Sequence, residues 1–377
     1  MNARVLLLAA AVLAVAGAVA VGPATGDASS VDAANGDLVD AEPAAEPNDV
    51  AAHAAQDDCS FPVTRTDGTG TAVELAERPE RIVALQPSDA QLLWEVGARD
   101  RVVGMQKNQY TAYLDGREDV GNISGGGTVE RVVGLQPDLV LAANATDAQT
   151  VAQLRRTGVT VYHFRRTESL EEIAGNLETV GELVGSCESA RAEATEFRLA
   201  VERAQTAHEN ASGKPQALYA FFDFTTGSGT HIHDMIEAAG GVNVAAEAGI
   251  EGYRQVNPEI VADRDPEWIV YPDDWAVPDR APYNGTTAVR ENQTIALDYT
   301  FVSQPGPKVA VPLTKLAKTW HPEGLARANA TVNESDVAPT NETTQSTEGT
   351  EADGPGFGVV AALLAVLAAT ALVGRRD

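Results

Sequence analysis

The chain has 377 residues, enough for two or three compact units, and its hydrophobic content of 44% excludes wholesale disorder. It carries 54 Asp and Glu against 27 Lys and Arg, a net charge of −27, which excludes nucleic-acid binding because contacts to phosphate require cations. An acidic surface with little lysine suits a protein that works in strong brine, where salt screens self-repulsion. Simple acidic solubility is the alternative.

The N-terminal 58 residues predict export followed by a spacer. Residues 5–21 form an apolar run after Arg4 and lead into small residues, a pattern typical of a secretory signal, which we assign to residues 1–24. An uncleaved membrane anchor is the alternative, and no Cys follows the run as a bacterial-type lipoprotein anchor would require. Residues 25–58 contain almost no large apolar side chains and therefore predict an acidic disordered spacer.

The middle of the chain alternates strand-like apolar runs with amphipathic helical patterns, which predicts an α/β fold. We divide it into an N-terminal lobe, 59–165, and a C-terminal lobe, 211–324. The intervening residues 166–210 carry apolar side chains at three- and four-residue spacing and predict one long interdomain spine helix. Glycines at positions 175, 181 and 185 weaken this helix and allow a kink.

Two segments of the chain repeat one another without gaps. Residues 128–144 and 257–273 each contain a short helical pattern, an x-Pro-acidic tripeptide and a buried strand followed by polar residues. The repeat predicts two similar lobes joined by the spine helix, with their strand ends facing one another. Because ligands of open α/β sheets bind outside the carboxyl ends of the strands, we expect residues 143–147 and 272–275 to face one ligand cleft.

Side chains in the loops that follow predicted strands are the candidates for ligand contact. Most are aromatic, and flat aromatic faces suit a large planar or apolar ligand; packing within the core is the alternative for each of them. The predicted ligand-binding residues are Tyr110, Tyr113, Asn144, Phe222, Phe224, Tyr253 and Trp275. Three other tryptophans, Trp94, Trp268 and Trp320, lie in apolar periodic stretches and are predicted to belong to the core.

No metal site, cofactor or catalytic residue is predicted. His231 and His233 flank Ile232, and neutral imidazoles ligate cobalt or iron, but no carboxylate or third His accompanies them. Helix capping and local hydrogen bonding are therefore favoured for this pair. The chain also contains no Gly-x-Ser-x-Gly, P-loop, His-Glu-x-x-His or dinucleotide motif, so we do not expect an enzyme.

The two cysteines, Cys59 and Cys187, lack the spacing of a structural zinc site. Outside the cell such a pair usually oxidises, so we predict a disulfide between the start of the folded region and the spine. Two free buried thiols are the alternative.

The C-terminal end predicts a stalk and a membrane tether. Residues 325–353 are rich in Thr, Asn and Glu and predict a solvated stalk. The apolar run 358–373 spans about 25 Å as a helix, and the arginine pair after it would stay inside the cell. Eight Asn-x-Ser/Thr sequons support an exterior location: Asn122, Asn144, Asn210, Asn284, Asn292, Asn329, Asn333 and Asn341.

Pro355-Gly356-Phe357, the short span and the basic end resemble the archaeal sorting signal named after this tripeptide, here residues 354–377. In that family a sortase-like membrane enzyme removes the span and a lipid takes its place. The acidic, lysine-poor composition likewise resembles that of haloarchaeal proteins.

Four segments in order resemble one class of solute-binding protein: RIVALQPSDAQLLWEVGARDRVVGM, LQPDLVLA, HIHDMIEAAGGVNV and SQPGPKVAVPLTKLAKTWHPE. This is the helical-backbone class of periplasmic binding proteins, which serve ABC importers of cobalamin, siderophores and haem. The resemblance covers about residues 60–322. It implies a rigid interdomain helix, an ABC permease with its ATPase as partners, and one acidic docking residue on each lobe. Asp147 and Asp279 are the candidates for docking.

The resemblance implies an extracellular, membrane-tethered monomer that binds a ligand for import. The predicted cleft is aromatic and acidic, with few arginines apart from Arg254, so cobalamin or another corrinoid is expected ahead of a ferric siderophore or haem. A cell-surface structural or adhesion component is the alternative of another class. It would not explain two α/β lobes, because adhesive modules are mostly β-sandwiches.

Overall fold

The computed structural model describes residues 59–337, which lie within one compact unit. The predicted signal, the acidic spacer and the sorting signal fall outside the described residues, as does most of the predicted stalk with Asn341. Within the described range, no helix combines the length and the apolar character needed to cross a membrane.

The strands, in chain order, are β1 (Val63–Thr66), β2 (Ala72–Leu75), β3 (Ile82–Ala84), β4 (Val102–Met105), β5 (Gly121–Asn122), β6 (Leu139–Ala142), β7 (Val161–His163), β8 (Gln216–Tyr219), β9 (Phe224–Thr226), β10 (Val242–Asn243), β11 (Tyr253–Gln255), β12 (Trp268–Pro272) and β13 (Thr294–Leu297).

The α-helices are α1 (Pro87–Glu95), α2 (Thr128–Gly134), α3 (Ala148–Arg156), α4 (Leu170–Val184), α5 (Cys187–His208), α6 (His231–Ala238), α7 (Val244–Glu247), α8 (Pro258–Arg264), α9 (Thr287–Arg290), α10 (Tyr299–Val302), α11 (Ala310–Trp320), α12 (Pro322–Thr331) and α13 (Glu334–Val337). Short 3-10 turns occupy Arg99–Arg101, Gln109–Thr111, Arg117–Asp119, Tyr283–Gly285 and Pro307–Val309.

Each lobe is built on one parallel sheet. The N-terminal sheet has the strand order β5-β4-β3-β6-β7, and the C-terminal sheet has the order β10-β8-β12-β13. The central strands β3 and β6 are buried along their whole length, as expected for parallel strands covered by helices on both faces. Two antiparallel pairs, β1-β2 and β11-β9, complete the fold. The predicted mixed α/β architecture is therefore confirmed.

The internal repeat is present in three dimensions. Helix α2 leads into β6, and helix α8 leads into β12. In the N-terminal sheet β6 lies beside β3, and in the C-terminal sheet β12 lies beside β8; β3 and β8 are the first strands of their sheets along the chain. The residue before the proline is left-handed in both copies, with φ of 47° at Gln136 and 38° at Asp265. Few non-glycine residues adopt this conformation, so its occurrence at equivalent positions supports a true structural repeat.

The acidic residue of the repeated x-Pro-acidic turn has the same role in both lobes. The Asp138 carboxylate accepts backbone hydrogen bonds from Glu80 and Arg81, at 2.9 and 2.8 Å, at the start of β3. The Glu267 carboxylate accepts one from Gln216, at 3.0 Å, at the start of β8. Each acidic side chain therefore fixes the starting point of the neighbouring central strand.

The single spine helix predicted for residues 166–210 is wrong in one respect, because the segment forms two helices that fold back on each other. Helix α4 ends at Gly185, whose φ of +66° favours glycine and allows a reversal; Ser186 then donates its backbone N–H to Gly181 at 2.7 Å. The side chain of Arg198, on α5, pairs with Glu171 and Glu178 on α4. The apolar spacing runs through both helices, so the periodicity did not reveal the turn.

The folded region extends beyond residue 324, where the sequence predicted the stalk to begin. Helices α12 and α13 pack along α5, and the apolar contact joins Leu199 to Ala328 and Val332, with Val337 beside them. Residues 325–337 therefore belong to the folded unit. The sequence interpretation missed this because the segment is rich in Asn and Thr and contacts α5 through only a few apolar side chains.

The predicted disulfide is confirmed between Cys59 and Cys187, whose Cα atoms are 5.7 Å apart. It joins the chain just before β1 to the first residue of α5. The predicted core tryptophans also pack against the main apolar cluster: Trp268 and Trp320 meet edge to face at 6.4 Å, and the indole N–H of Trp94 donates to the Asp115 carbonyl.

Candidate functional site

The carboxyl ends of the two parallel sheets meet at Tyr110. This residue follows β4 in the N-terminal lobe, and its ring lies edge to face on Tyr299, which follows β13 in the C-terminal lobe, at 5.7 Å between centroids. Burial raises the pKa of Tyr110, and the negative charge of Asp274, after β12, raises it further. Strand ends from both lobes therefore form one site, which is where open α/β sheets bind ligands.

An aromatic surface continues from this point into the C-terminal lobe. Phe221 lies at its centre, with ring centroids within 5.6 to 6.3 Å of four neighbours. The Trp275 ring contacts Phe222. The surface, which we call the aromatic face, comprises Tyr219, Phe221, Phe222, Phe224, Tyr253 and Trp275. Four of these six were predicted ligand contacts; Tyr219, the last residue of the buried strand β8, and Phe221, two residues after it, were missed.

Phe222 is held in an unusual backbone conformation. Phe221 and Phe224 exchange backbone hydrogen bonds of 3.0 and 2.8 Å, which closes a tight reversal with Phe222 at its tip. The φ of Phe222 is 51°, in the left-handed region that bulky residues rarely adopt and that costs on the order of 1 kcal/mol. Strain of this kind is often retained at functional sites because it aims a side chain in a required direction.

The pKa values of the tyrosines show that the aromatic face and Tyr110 lie close enough to interact electrostatically. Burial raises the pKa of Tyr219 well above its ordinary value, and its neighbours Tyr253, Asp274 and Tyr110 add to the effect. Tyr253 is 37% exposed, yet burial of its hydroxyl raises its pKa to about 12. The residue thus remains partly accessible while its hydroxyl stays protonated.

Arg166 is a cationic residue of the site that the sequence interpretation missed. It follows β7 in the N-terminal lobe, and its charge acts on Tyr253 in the C-terminal lobe in the direction that lowers the pKa. Its only ion pair among the described residues is a long one, 3.9 Å, to Glu168. The predicted arginine, Arg254, is exposed and donates to the carbonyl of its neighbour Tyr253 at 3.1 Å.

Tyr113 lies where the two lobes pack, with its hydroxyl engaged. The Gln91 amide donates to that hydroxyl at 2.7 Å, and the ring lies edge to face on Phe301 at 5.1 Å. Burial raises the pKa of Tyr113 to about 12. These contacts place Tyr113 in the packing between the lobes, and a direct ligand contact by Tyr113 stays a prediction.

A buried carboxylate supports the N-terminal rim of the site. Asp89 is fully buried, and its Oδ2 accepts backbone hydrogen bonds from Gln86, after β3, and Ala143, after β6, at 2.9 and 3.0 Å. Burial raises its pKa to about 7. The Gln86 amide also reaches the Thr146 hydroxyl at 3.2 Å, so the two rim loops are joined twice.

The other predicted polar residues lie on the surface. Asn144 is exposed directly after the buried stretch that ends β6. Asp147 is exposed and caps α3, and bonds from the Thr150 hydroxyl and the Thr150 and Gln149 backbone hold its pKa below the usual range. Asp279 is exposed and accepts from Asn284 at 2.9 Å. Ligand contact by Asn144 and docking by the two aspartates stay predictions.

Local hydrogen bonding was favoured for both histidines, and the structure shows it only at His233, because His231 contacts a carbonyl 71 residues away along the chain. His231 is buried, its Nε2 lies 3.0 Å from the Val302 carbonyl, and burial lowers its pKa to about 4. The His233 backbone N–H donates to Thr230, the residue that caps α6. Over residues 59–337 the structure contains no group of three or more His, Cys, Asp or Glu side chains that could hold a metal ion.

Comparisons with known proteins give the same architecture. The cobalamin-binding protein of Halobacterium salinarum is 38% identical over 347 residues, 88% of this chain and 93% of that relative. The apo periplasmic heme-binding protein RhuT of Roseiflexus sp. RS-1 superposes with a TM-score of 0.57 at 25% identity, covering 66% of this chain and 98% of that one. The periplasmic vitamin B12-binding protein BtuF of Vibrio cholerae shares the fold, with a TM-score of 0.55 at 24% identity and coverages of 67% and 98%.

The sequence model of one family, described as periplasmic binding protein, matches residues 82–299. This match begins at the first strand of the N-terminal sheet and ends at Tyr299, so it spans both parallel sheets and the helical hairpin between them. With more than half of the chain matched, and with the relative from Halobacterium salinarum, the chain belongs to the periplasmic binding protein family.

Proposed function

We propose that this chain is an exported solute-binding protein that captures cobalamin or another corrinoid between its lobes and delivers it to an ABC permease and its ATPase. The observation that carries the proposal is the aromatic face of the C-terminal lobe, which lies near Tyr110, the residue at which the carboxyl ends of the two sheets meet. A corrin ring is large, flat and bordered by amides, so it can pack on such a face without a counter-charge.

The charges around the site favour a corrinoid over an anionic chelate. Asp273 and Asp274 follow β12 beside the aromatic face, and partial burial raises the pKa of Asp274. Carboxylates near the ligand repel the propionates of haem and the donors of many ferric siderophores. The name of the haloarchaeal relative, cobalamin-binding protein, supports the same choice.

Haem or a ferric siderophore is the second candidate, and one observation favours it. Arg166 and Arg254 lie near Tyr253, the arrangement that an anionic iron complex with a phenolate ligand would need. Burial raises the pKa of Tyr253 to about 12, however, so losing the proton to bind iron costs more here than it does for an ordinary tyrosine. We therefore rank this candidate below a corrinoid.

We further propose that the protein acts outside the cell, tethered through its C-terminus, and has no catalytic role. Sequons support the location, because every sequon asparagine in the part that the structure describes is exposed: Asn122, Asn144, Asn210, Asn284, Asn292, Asn329 and Asn333. The solute-binding family and the lack of catalytic motifs in the sequence support the absence of catalysis. A surface structural component would leave the two-lobed fold and its aromatic face unexplained.

A binding titration tests the proposal. The protein, in molar salt, is titrated with cyanocobalamin, haem and a ferric hydroxamate siderophore, and binding is followed by calorimetry and tryptophan fluorescence. We expect saturable one-to-one binding of cobalamin that is weakened in Trp275→Ala. Trp94→Phe, which alters a tryptophan packed against the core, is the matched control and should bind as the wild type does.

Each other outcome has a defined meaning. Binding of haem or the siderophore in place of cobalamin would overturn the ligand while keeping the import role. Failure of all three ligands to bind folded protein would reject the solute-binding proposal and favour a surface component. Equal weakening by Trp275→Ala and by Trp94→Phe would reject the aromatic face as the binding surface.

A further inference from the structure

The lobes contact each other directly at Tyr110. The turn that carries Tyr110 and Tyr113 lies against a C-terminal segment that runs from Tyr299 to Lys308, and two edge-to-face ring pairs, Tyr110 with Tyr299 and Tyr113 with Phe301, join them. Two glutamines are buried in this contact: Gln91 is 0% exposed and Gln304 is 5% exposed. Glutamine is seldom buried to this extent, so the hydrogen bonds of these two side chains need an explanation.

The two glutamines join the lobes in opposite directions. Gln91, on α1 of the N-terminal lobe, accepts from the backbone N–H of Lys308 at 3.0 Å and donates to the Tyr113 hydroxyl at 2.7 Å. Gln304, in the C-terminal lobe, donates to the carbonyl of Tyr110 at 3.2 Å and to that of Thr300 at 2.6 Å. Each amide thus links a backbone group of the other lobe to a partner in its own.

The residues around the two glutamines pack closely against them. An added Cβ at Gly306 would lie 2.2 Å from Oε1 of Gln91, so the backbone of the C-terminal lobe approaches too closely for a side chain there. On the outer side, Lys308 forms a 2.8 Å ion pair with Glu95, which follows Gln91 by one helical turn. The contact is therefore closely packed and is flanked by an ion pair.

We propose that Gln91 and Gln304 form an interlobe clasp that fixes the angle between the lobes and thereby positions Tyr110 and Tyr299 at the base of the cleft. The glutamines act through these rings as positioning residues. Removing one amide leaves buried backbone groups without partners, a penalty that favours rotation of the lobes to hydrate them. With the clasp intact, ligand binding does not have to order the rings.

The interlobe distance tests the clasp without any ligand. Ala145, in the loop after β6, and Ala276, after β12, are both exposed, so a cysteine at each can carry a spin label on the full-length chain. The two native cysteines are joined in a disulfide and do not compete for the label. Pulsed electron–electron double resonance should give one narrow distribution of the distance between the two labels in the wild-type background.

Four substitutions separate the clasp from general packing. Gln91→Met and Gln304→Met keep the side-chain volume but lose the amide, and we expect a broader or shifted distribution for both. Gln91→Glu should retain the wild-type distribution, since burial keeps its carboxyl protonated, and a neutral carboxyl, like the amide, accepts from Lys308 and donates to Tyr113. Gln149→Met, at an exposed glutamine of the N-terminal lobe, is the matched control and should have no effect.

Ligand affinity and fold integrity complete the test. The dissociation constant for cyanocobalamin should rise roughly 5- to 30-fold in Gln304→Met, the equivalent of one or two misplaced hydrogen bonds, with far-ultraviolet circular dichroism unchanged. If a Met variant fails to fold, Gly306→Ala perturbs the same contact from the other lobe and should broaden the distribution. Unchanged distributions in the folded Met and Gly306→Ala variants would overturn the clasp, whatever the ligand proves to be.

Discussion

Removing the disulfide between Cys59 and Cys187 should have a large effect on stability, and its size follows from the topology. The bond spans 128 residues of sequence, and the loop it closes contains the whole N-terminal sheet and the helix α4. In the chain-entropy description, cross-linking a loop of this length lowers the entropy of the unfolded chain by an amount worth about 5 kcal/mol at 25 °C. Since domains are stable by only about 5–15 kcal/mol, Cys59→Ser/Cys187→Ser should lose a third or more of the stability.

Equilibrium urea unfolding in molar salt measures this loss. We expect a lower midpoint for the double-serine variant, and a wild-type midpoint that falls to the same value when reductant is added. The variant itself should not respond to reductant, which makes it the control for unrelated effects of the reagent. A loss below about 1 kcal/mol would contradict the chain-entropy estimate, because it would mean that the unfolded chain holds the two ends together without the bond.

Three further predictions concern single side chains. Trp275→Ala removes roughly 80 Å² of aromatic contact, about 2 kcal/mol at about 25 cal/mol per Å², so ligand affinity measured by calorimetry should fall roughly 30-fold. Asp89 has a folded-state pKa of about 7, above its unfolded value, so its contribution is present below about pH 4 and is lost as the pH rises through 7. Asp89→Asn should therefore be less stable than the wild type at pH 4, with the gap closing by pH 8 in urea titrations; a constant gap would contradict it. For His231 the pH dependence of stability runs the other way. Its pKa of about 4 lies below the unfolded value, so its contribution to stability is present above about pH 6.5 and is lost as the pH falls towards 4. His231→Gln should remove that part of the acid sensitivity in thermal melts, and an unchanged pH profile would argue against a neutral buried imidazole.

The sequence predicted the features of the fold that short-range patterns encode. The apolar run in each copy of the repeat identified β6 and β12, and the repeat itself predicted two similar lobes. The equivalent hydrogen bonds of Asp138 and Glu267 became visible only in the structure. The helical hairpin was missed because its turn depends on the left-handed conformation of a single residue, Gly185, within an unbroken apolar periodicity. The C-terminal limit was missed because a helix packed by one narrow stripe looks polar in composition.

Residues of the candidate site could be predicted when their position directly after a strand was enough to place them. Tyr110 and Phe222 were found because each follows a strand, and the carboxyl ends of parallel strands meet. Tyr299 and Arg166 were missed, since their importance arises only when two lobes distant in sequence are brought together. The position of Tyr113 between the lobes depends on Gln91 and on a backbone group about two hundred residues away, which no local pattern records.

The acidic turns that start the central strands have a consequence for how ligand preference can change. In each lobe the turn precedes β6 or β12 and fixes the start of the neighbouring strand. The loop that reaches the candidate site begins after the four residues of β6 or the five of β12, roughly 13 to 17 Å from the turn. Substitutions and insertions in those loops leave the hydrogen bonds of Asp138 and Glu267 untouched. The amino ends of the sheets therefore serve as a constant foundation on which loops of different chemistry can be exchanged, so selectivity can diverge between relatives without loss of the architecture.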